Sequence, residues 1–247
     1  MNARRPARED ERSLRQQCVR ICELIYERGY STGTDGNISV RLGERHLLTT
    51  PSGAHKGFLH PDDLVKTDRR GKPVAGQRGA PTSEIAMHTA VYDVRPDVRA
   101  LVHAHPAAAI AVTLAGIDLE TIVVPEVIFG IGNIPTVPYS TPTTLDVPRE
   151  VLAYAEDNDG MILERHGTLT MGSDLLGALA KLETIEHTAR IVLLARAVGP
   201  VQPLADEEVA RLRRVAGRSG SAPDEATQAV IARATAQVLE LLSGGRS

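Results

Sequence analysis

Between Arg8 and Arg28 the apolar positions recur every three or four residues. Leu14, Cys18, Ile21, Cys22, Leu24 and Ile25 fall on one side of a helix, and Gly29 follows as its stop. The period then drops to two. Ile38-Ser39-Val40-Arg41-Leu42 alternates, and His46-Leu47-Leu48-Thr49 lies across Gly43-Glu44 from it, the spacing of an antiparallel hairpin. Leu64 to Asp68 reads as a further strand, closed by the turn Arg69-Arg70-Gly71-Lys72. At Pro81-Thr82-Ser83-Glu84 the pattern returns to helical, with Thr82 or Ser83 as the cap and Ile85, Met87, Ala90 and Val91 following. Val98 to Val102 is a nearly unbroken apolar run, a buried strand that leads into His103-Ala104-His105. Pro106 then opens a helix over Ala107 to Leu114, at the position where proline is tolerated.

Downstream, Ile122 to Ile131 is apolar and strand-like at its start. Pro135 to Tyr139 reads as a short edge strand or extended loop. Val147 to Glu156 is a helix. The strands Met161–Arg165 and Leu169–Met171 flank His166-Gly167-Thr168, and Ser173-Asp174 opens a long helix to Ala197. Asp206 to Val215 is helical, Gly217 to Pro223 has the composition of a flexible linker, and Asp224 to Leu242 reads as a terminal helix. Strands and helices mixed with hairpin spacings predict an α/β fold: a single domain over 8–215 with a central, mainly antiparallel sheet flanked by helices, then a linker and helical extension over 216–247.

Composition narrows the function. Aromatics make up 3% and Trp is absent, so the core is built of Ala, Val, Leu and Ile, and stacking on nucleic-acid bases is not expected. A net charge of −3 supplies no field for nucleic acid or acidic membranes, and no apolar run approaches a membrane span. Cys18 and Cys22, four apart on a helix, match neither a zinc knuckle nor a redox pair. They read as small helix residues in a reducing cytoplasm.

Strand parity puts His103 and His105 on one face, which suits two imidazoles on one metal ion; a hydrogen-bonded pair at a strand end is the alternative. His166, before a glycine that lets the backbone pass close to a ligand, can complete a set of three with an open position, the pattern of catalytic zinc. Glu84, in the first turn of its helix, either favours the helix dipole or serves as a general acid/base or displaceable ligand. His88, one turn later, can orient Glu84 or merely pack. His46, His55 and His60 read as solvated turn residues, and His187 as structural. Gly36-Asn37, Ser52-Gly53 and Thr82-Ser83 together offer backbone N–H groups, hydroxyls and a helix N-terminus, the makings of a phosphate cradle. Neither a nucleotide P-loop nor a dinucleotide fingerprint is present.

Gly33-Thr34-Asp35-Gly36-Asn37-Ile38-Ser39, Thr50-Pro51-Ser52-Gly53, Pro81-Thr82-Ser83-Glu84, Val102-His103-Ala104-His105 and Arg165-His166-Gly167 stand in an order and spacing that resemble the class II sugar-phosphate aldolases of the fuculose-phosphate aldolase and ribulose-phosphate 4-epimerase type. The resemblance covers roughly Leu14 to Ala210. It implies a four-fold homotetramer with active sites at subunit interfaces and one Zn2+ per subunit on His103, His105 and His166, ligands that also suit Mn2+ or Co2+. It implies a small sugar phosphate held by Gly36, Asn37, Ser52, Gly53, Thr82 and Ser83, and Glu84 as acid/base. Glu84 rather than Asp favours aldol cleavage over epimerisation. The implied reaction cleaves a ketose 1-phosphate, of the fuculose or the 5-deoxy or methylthio pentulose kind, to dihydroxyacetone phosphate and an aldehyde through an enediolate. An epimerase, a decarboxylase and a non-catalytic scaffold of the same fold are the alternatives. Two tyrosines of fuculose-phosphate aldolase that serve the aldehyde half have no counterpart here. The segment Val124 to Phe129 has none, and no tyrosine follows Tyr154. Glu126, from a neighbouring subunit, is the candidate replacement, and Val127, Ile128 and Phe129 are expected to offer an apolar surface to a substrate tail.

Overall fold

A computed structural model describes residues 10–121, 123–141 and 146–217. Its elements, in chain order, are α1 Glu11–Glu27, β1 Asn37–Leu42, β2 His46–Thr49, β3 Val65–Asp68, α2 Ile85–Val94, β4 Ala100–Ala104, α3 Ala107–Leu114, α4 Pro125–Gly130, β5 Thr136–Val137, α5 Asp146–Ala155, β6 Gly160–Leu163, β7 Gly167–Gly172, α6 Leu175–Val198 and α7 Asp206–Val215. The strands form one seven-stranded sheet in the order β3-β2-β1-β4-β7-β6-β5. Every pairing is antiparallel except that of the edge strand β5 with β6. The α/β fold with a mainly antiparallel sheet is therefore as the sequence predicts. The predicted linker and terminal helix beyond Gly217 lie outside the described residues.

Alternation along the strands sorts the core onto two faces. Ile38 and Val40 of β1 and Ala100, Val102 and Ala104 of β4 pack against α1 and the start of α6, through Leu14, Cys18, Ile25, Leu175 and Leu182. Leu101 of β4 and Leu169 and Met171 of β7 face the other way, onto Met87, Val91 and Tyr92 of α2 and Val147 and Val151 of α5. A third cluster joins α3, α4 and the middle of α6 over Ile162. The odd-numbered residues of β4 thus point toward α2, which fixes the direction in which His103 leaves the sheet.

Two expectations for the Ile122–Ile131 segment fail. The start of the Ile122–Ile131 run is not a strand in the described residues; the run holds the short helix α4. Pro125 at its first position has φ already near helical, and Val127, Ile128 and Ile131 recur at helical spacing into the third cluster. The same packing buries Val127 and Ile128, so of the three residues expected to offer an apolar surface only Phe129 is exposed.

One interlock ties α6 to the exit of β4. Glu186 of α6 is fully buried, and its two carboxylate oxygens accept the backbone N–H groups of Ala108 (3.2 Å) and Ala109 (2.9 Å) at the start of α3. Arg190, one turn on, donates to the same carboxylate at 3.1 Å. The carboxylate satisfies orphan donors that Pro106, at the N-cap, has no side chain to reach. Replacing it leaves those N–H groups buried and unpaired. Glu186→Ala is expected to lower the unfolding free energy by about 2–3 kcal/mol. Urea denaturation of the metal-free protein checks this, and a change below about 0.5 kcal/mol would remove the cap from the account.

Candidate metal centre

The ladder between β1 and β4 sets Asn37 directly opposite His103, and the ladder between β4 and β7 sets His103 opposite Leu169. These side chains share the face that carries α2, and Glu84, rather than Thr82 or Ser83 as the sequence predicts, is the N-cap of α2, while Thr82 Oγ1 accepts the Glu84 N–H at 3.3 Å. His105 lies just past the end of β4, its backbone N–H donating to Tyr30 O at 2.8 Å. His166 arrives from the turn between β6 and β7. Arg165 in that turn has φ 59°, the one positive φ outside glycine among the described residues, and its N–H donates to Thr113 Oγ1 of α3 at 3.0 Å. A left-handed arginine is costly unless its surroundings hold it, and here it aims the next side chain inward.

The three imidazoles converge. Each pair of rings stands 4.8–4.9 Å apart and 65–70° from parallel, and one nitrogen from each lies within 4.8 Å of the others. His103 Nδ1 sits 2.8 Å from the carbonyl of Thr168, so Nδ1 carries a proton and Nε2 is the nitrogen turned toward the other two rings. His103 Nε2 and His105 Nε2 are 3.0 Å apart. Two tetrahedral ligands at the usual zinc–nitrogen length would stand about 3.3 Å apart, so the spacing fits a shared cation. Burial, followed by the charge of His103, pushes His105 down to about 3; burial likewise pushes His166 down to about 4. Both are neutral at physiological pH, the form that ligates metal.

Glu84 completes the group. Its Oε2 accepts Asn37 Nδ2 at 2.8 Å and lies 3.2 Å from His103 Nε2, while Oε1 lies 3.5 Å from His166 Nε2. Burial works to raise this carboxyl, but His103, His166 and the Asn37 hydrogen bond together outweigh it and hold it well below the usual carboxylate range. Glu84 Oε1 and Asn37 Oδ1 are buried without a hydrogen-bond partner among the described residues. Orphaned acceptors beside three converging imidazoles are what a cation-binding, substrate-binding site leaves open.

A cavity of about 330 Å3 opens on this cluster. Its walls include Gly36, Asn37, Ser52, Gly53, Thr82 and Ser83 together with Glu84, His105 and His166. All six residues expected to cradle a phosphate thus come to one hollow with the carboxylate and two of the imidazoles; His103 is fully buried and in ring contact with both of those imidazoles. Glycine is required at two points. A Cβ on Gly36, which has φ +72°, would meet His103 O at 2.7 Å; one on Gly167 would collide with Ala104 O and reach His105 Cδ2 at 2.8 Å.

Other candidates fall elsewhere. Glu126 is exposed on α4 and does not line this cavity in its own chain. His88 does not orient Glu84: it is fully buried, with Nδ1 2.7 Å from Ser39 Oγ, and Asn37 holds Glu84 instead. His55, expected in solvent, packs between Tyr26 and Phe58 and caps the turn at Gly57. His187 is exposed on α6. Sequence reading missed Lys56, buried in the cavity wall, because a lysine in a turn-rich stretch reads as solvated; only its place three residues after Ser52-Gly53 hinted at the site. Asn37, expected only in the cradle, also donates to Glu84, a contact between residues 47 positions apart that no local pattern signals.

The sequence profile of the Class II Aldolase and Adducin N-terminal domain matches residues 16–193. A 3-oxo-tetronate 4-phosphate decarboxylase of Escherichia coli is 33% identical over 207 residues, spanning 82% of this chain and 96% of the relative. An L-fuculose phosphate aldolase of Methanocaldococcus jannaschii is 33% identical over 180 residues, spanning 73% and 96%. The crystal structure of YgbL from Escherichia coli superposes with a TM-score of 0.75 at 33% identity, over 82% of this chain and 99% of that one.

The close approach of β7 to β4 gives the centre its most sensitive point. Gly167→Ala is expected to displace the His105 ring and weaken divalent-metal binding roughly 10–100-fold. Competition with a chromogenic chelator measures it, and wild-type affinity in this variant would contradict the geometry.

Proposed function

The chain belongs to the Class II Aldolase and Adducin N-terminal domain family, and from that premise we propose that it is a metal-dependent lyase that decarboxylates a phosphorylated 3-oxo sugar acid, 3-oxo-tetronate 4-phosphate or a close analogue. The observation that carries the reading is the meeting of three imidazoles, one carboxylate and an anion cradle around a single cavity. His103, His105 and His166 would hold a divalent cation, with Zn2+ the ion their nitrogen set suits. Such an ion supplies Lewis-acid stabilisation of negative charge on oxygen.

The chain's own residues do the rest. Gly36, Ser52, Gly53, Thr82 and Ser83 bind the phosphate with backbone N–H groups and hydroxyls, fixing the substrate through a group remote from the reacting carbons. The bond between C1 and C2 breaks, carbon dioxide leaves, and the bonding electrons pass into the C3 carbonyl to give an enediolate. Glu84, held by Asn37, delivers one solvent proton to C2. The product, a three-carbon ketose phosphate, is dihydroxyacetone phosphate.

Aldol cleavage of a ketose 1-phosphate passes through the same enediolate and is the second reading, favoured by the aldolase relatives. The two differ in the leaving half. An aldehyde leaves only after its hydroxyl gives up a proton, which needs a base; carbon dioxide needs none. The missing tyrosines of 124–129 and of the chain beyond Tyr154 therefore suit decarboxylation, whereas aldol cleavage has to recruit Glu126 from a neighbouring subunit of a homotetramer.

Metal-loaded protein is expected to release carbon dioxide and dihydroxyacetone phosphate from 3-oxo-tetronate 4-phosphate and to stop when the metal is chelated. Aldehyde release from a ketose 1-phosphate, with no carbon dioxide from the sugar acid, would establish the second reading instead. Glu84→Gln is expected to keep its metal and lose roughly 10²–10⁴-fold in kcat. Full turnover in that variant would remove Glu84 from the chemistry.

A further inference from the structure

Lys56 is one of four lysines in the chain. Lys66 pairs with Glu11, Lys181 pairs with Asp159, and Lys72 is exposed. Lys56 differs from all three: it is 1% exposed and forms no ion pair among the described residues. Its Nζ donates to Thr34 O at 2.9 Å and to Ala54 O at 2.7 Å. Those carbonyls lie in the turns that carry Gly36-Asn37 and Ser52-Gly53, both of which line the cavity. An ammonium has three donors, so one is left over.

Burial pulls this lysine's pKa down; Cys22, Asp35 and Glu84 oppose that through space, and none of them forms an ion pair or hydrogen bond with its ammonium among the described residues. A buried cation whose only contacts are two neutral carbonyls is a costly arrangement, retained where a counter-charge arrives. The glycine, serine, threonine and asparagine of the cradle are neutral, the half-exposed Asp35 of the same wall lies 3.8 Å from His105 Nδ1, and no arginine lines the cavity among the described residues. A phosphate dianion seated there would meet a single formal positive charge on that side.

We propose that Lys56 is the cationic element of the anion cradle: it bridges the two turns from beneath and supplies the counter-charge for the substrate's phosphate. This rests on the lyase reading only in taking the cradle to be an anion site. It predicts a requirement for a phosphorylated substrate whichever carbon–carbon bond is broken.

Inorganic phosphate is the probe, titrated into zinc-loaded protein by calorimetry. Wild type is expected to bind it. Lys56→Met, which keeps most of the aliphatic stem and loses the charge, is expected to bind it at least about 30-fold more weakly, with a matching rise in KM for the phosphorylated substrate and kcat little changed; Lys56→Arg recovers most of the affinity. A Lys56→Met protein that binds phosphate within about threefold of wild type overturns the assignment and leaves the cradle standing. A wild type that binds no phosphate overturns the cradle itself. If Lys56→Met does not fold, the Nζ resonance of Lys56 in 15N-lysine-labelled wild type decides. It is expected to shift as phosphate is added, and a fixed resonance while the Gly36 and Gly53 amides move would overturn the proposal.

Discussion

The pairing of β4 between β1 and β7 is the constraint on which the rest of the molecule depends. Ala100, Val102 and Ala104 are drawn into the cluster beneath α1 and α6, while Leu101 is drawn the other way, beneath α2. Apolar burial thus decides which parity of β4 faces Glu84, and His103 follows Leu101. A slip of one residue in either ladder would send the imidazole into the opposite core. Glu186 locks the arrangement from behind, by holding the helix that follows His105.

Much of this was legible in the chain. The helix α1, the β1–β2 hairpin, β4, α3 and the long α6 follow from hydrophobic period and punctuation, because each buries one face and stops at a recognisable residue. Parity alone placed His103 and His105 together. His166 is far away in the chain, and only its position in a recurring set of motifs, not any local rule, tied it to them. Local pattern could not show what depends on contacts between distant segments. Glu186 reads as one more charge on a long helix until α3 is packed on it. Lys56 reads as a surface lysine until two turns close over it. The α4 helix was hidden because a short apolar run is compatible with either period, and the proline that opens it was the only discriminating residue.

The site's charges explain its division of labour. Two imidazoles are held neutral by burial, and Glu84 is held ionised by its neighbours. Neutral nitrogens and a carboxylate at one end favour a divalent cation there, and amide, hydroxyl and ammonium donors at the other favour an anion. A substrate bearing a phosphate and, a few bonds away, an oxygen that gains charge during reaction matches that polarity. The same polarity serves any bond cleavage that yields an enediolate, which is how relatives named for decarboxylation and for aldol cleavage share the architecture.

Everything chemical here rests on His103, His105 and His166 binding one ion together, and X-ray absorption of the zinc-loaded protein examines that directly. The account predicts one zinc per chain with three imidazole nitrogens at about 2.0–2.1 Å and the remaining ligands oxygen, the imidazole count falling by one in His166→Ala. Zinc bound without histidine nitrogens, or an ion whose coordination is the same with and without His166, would contradict it.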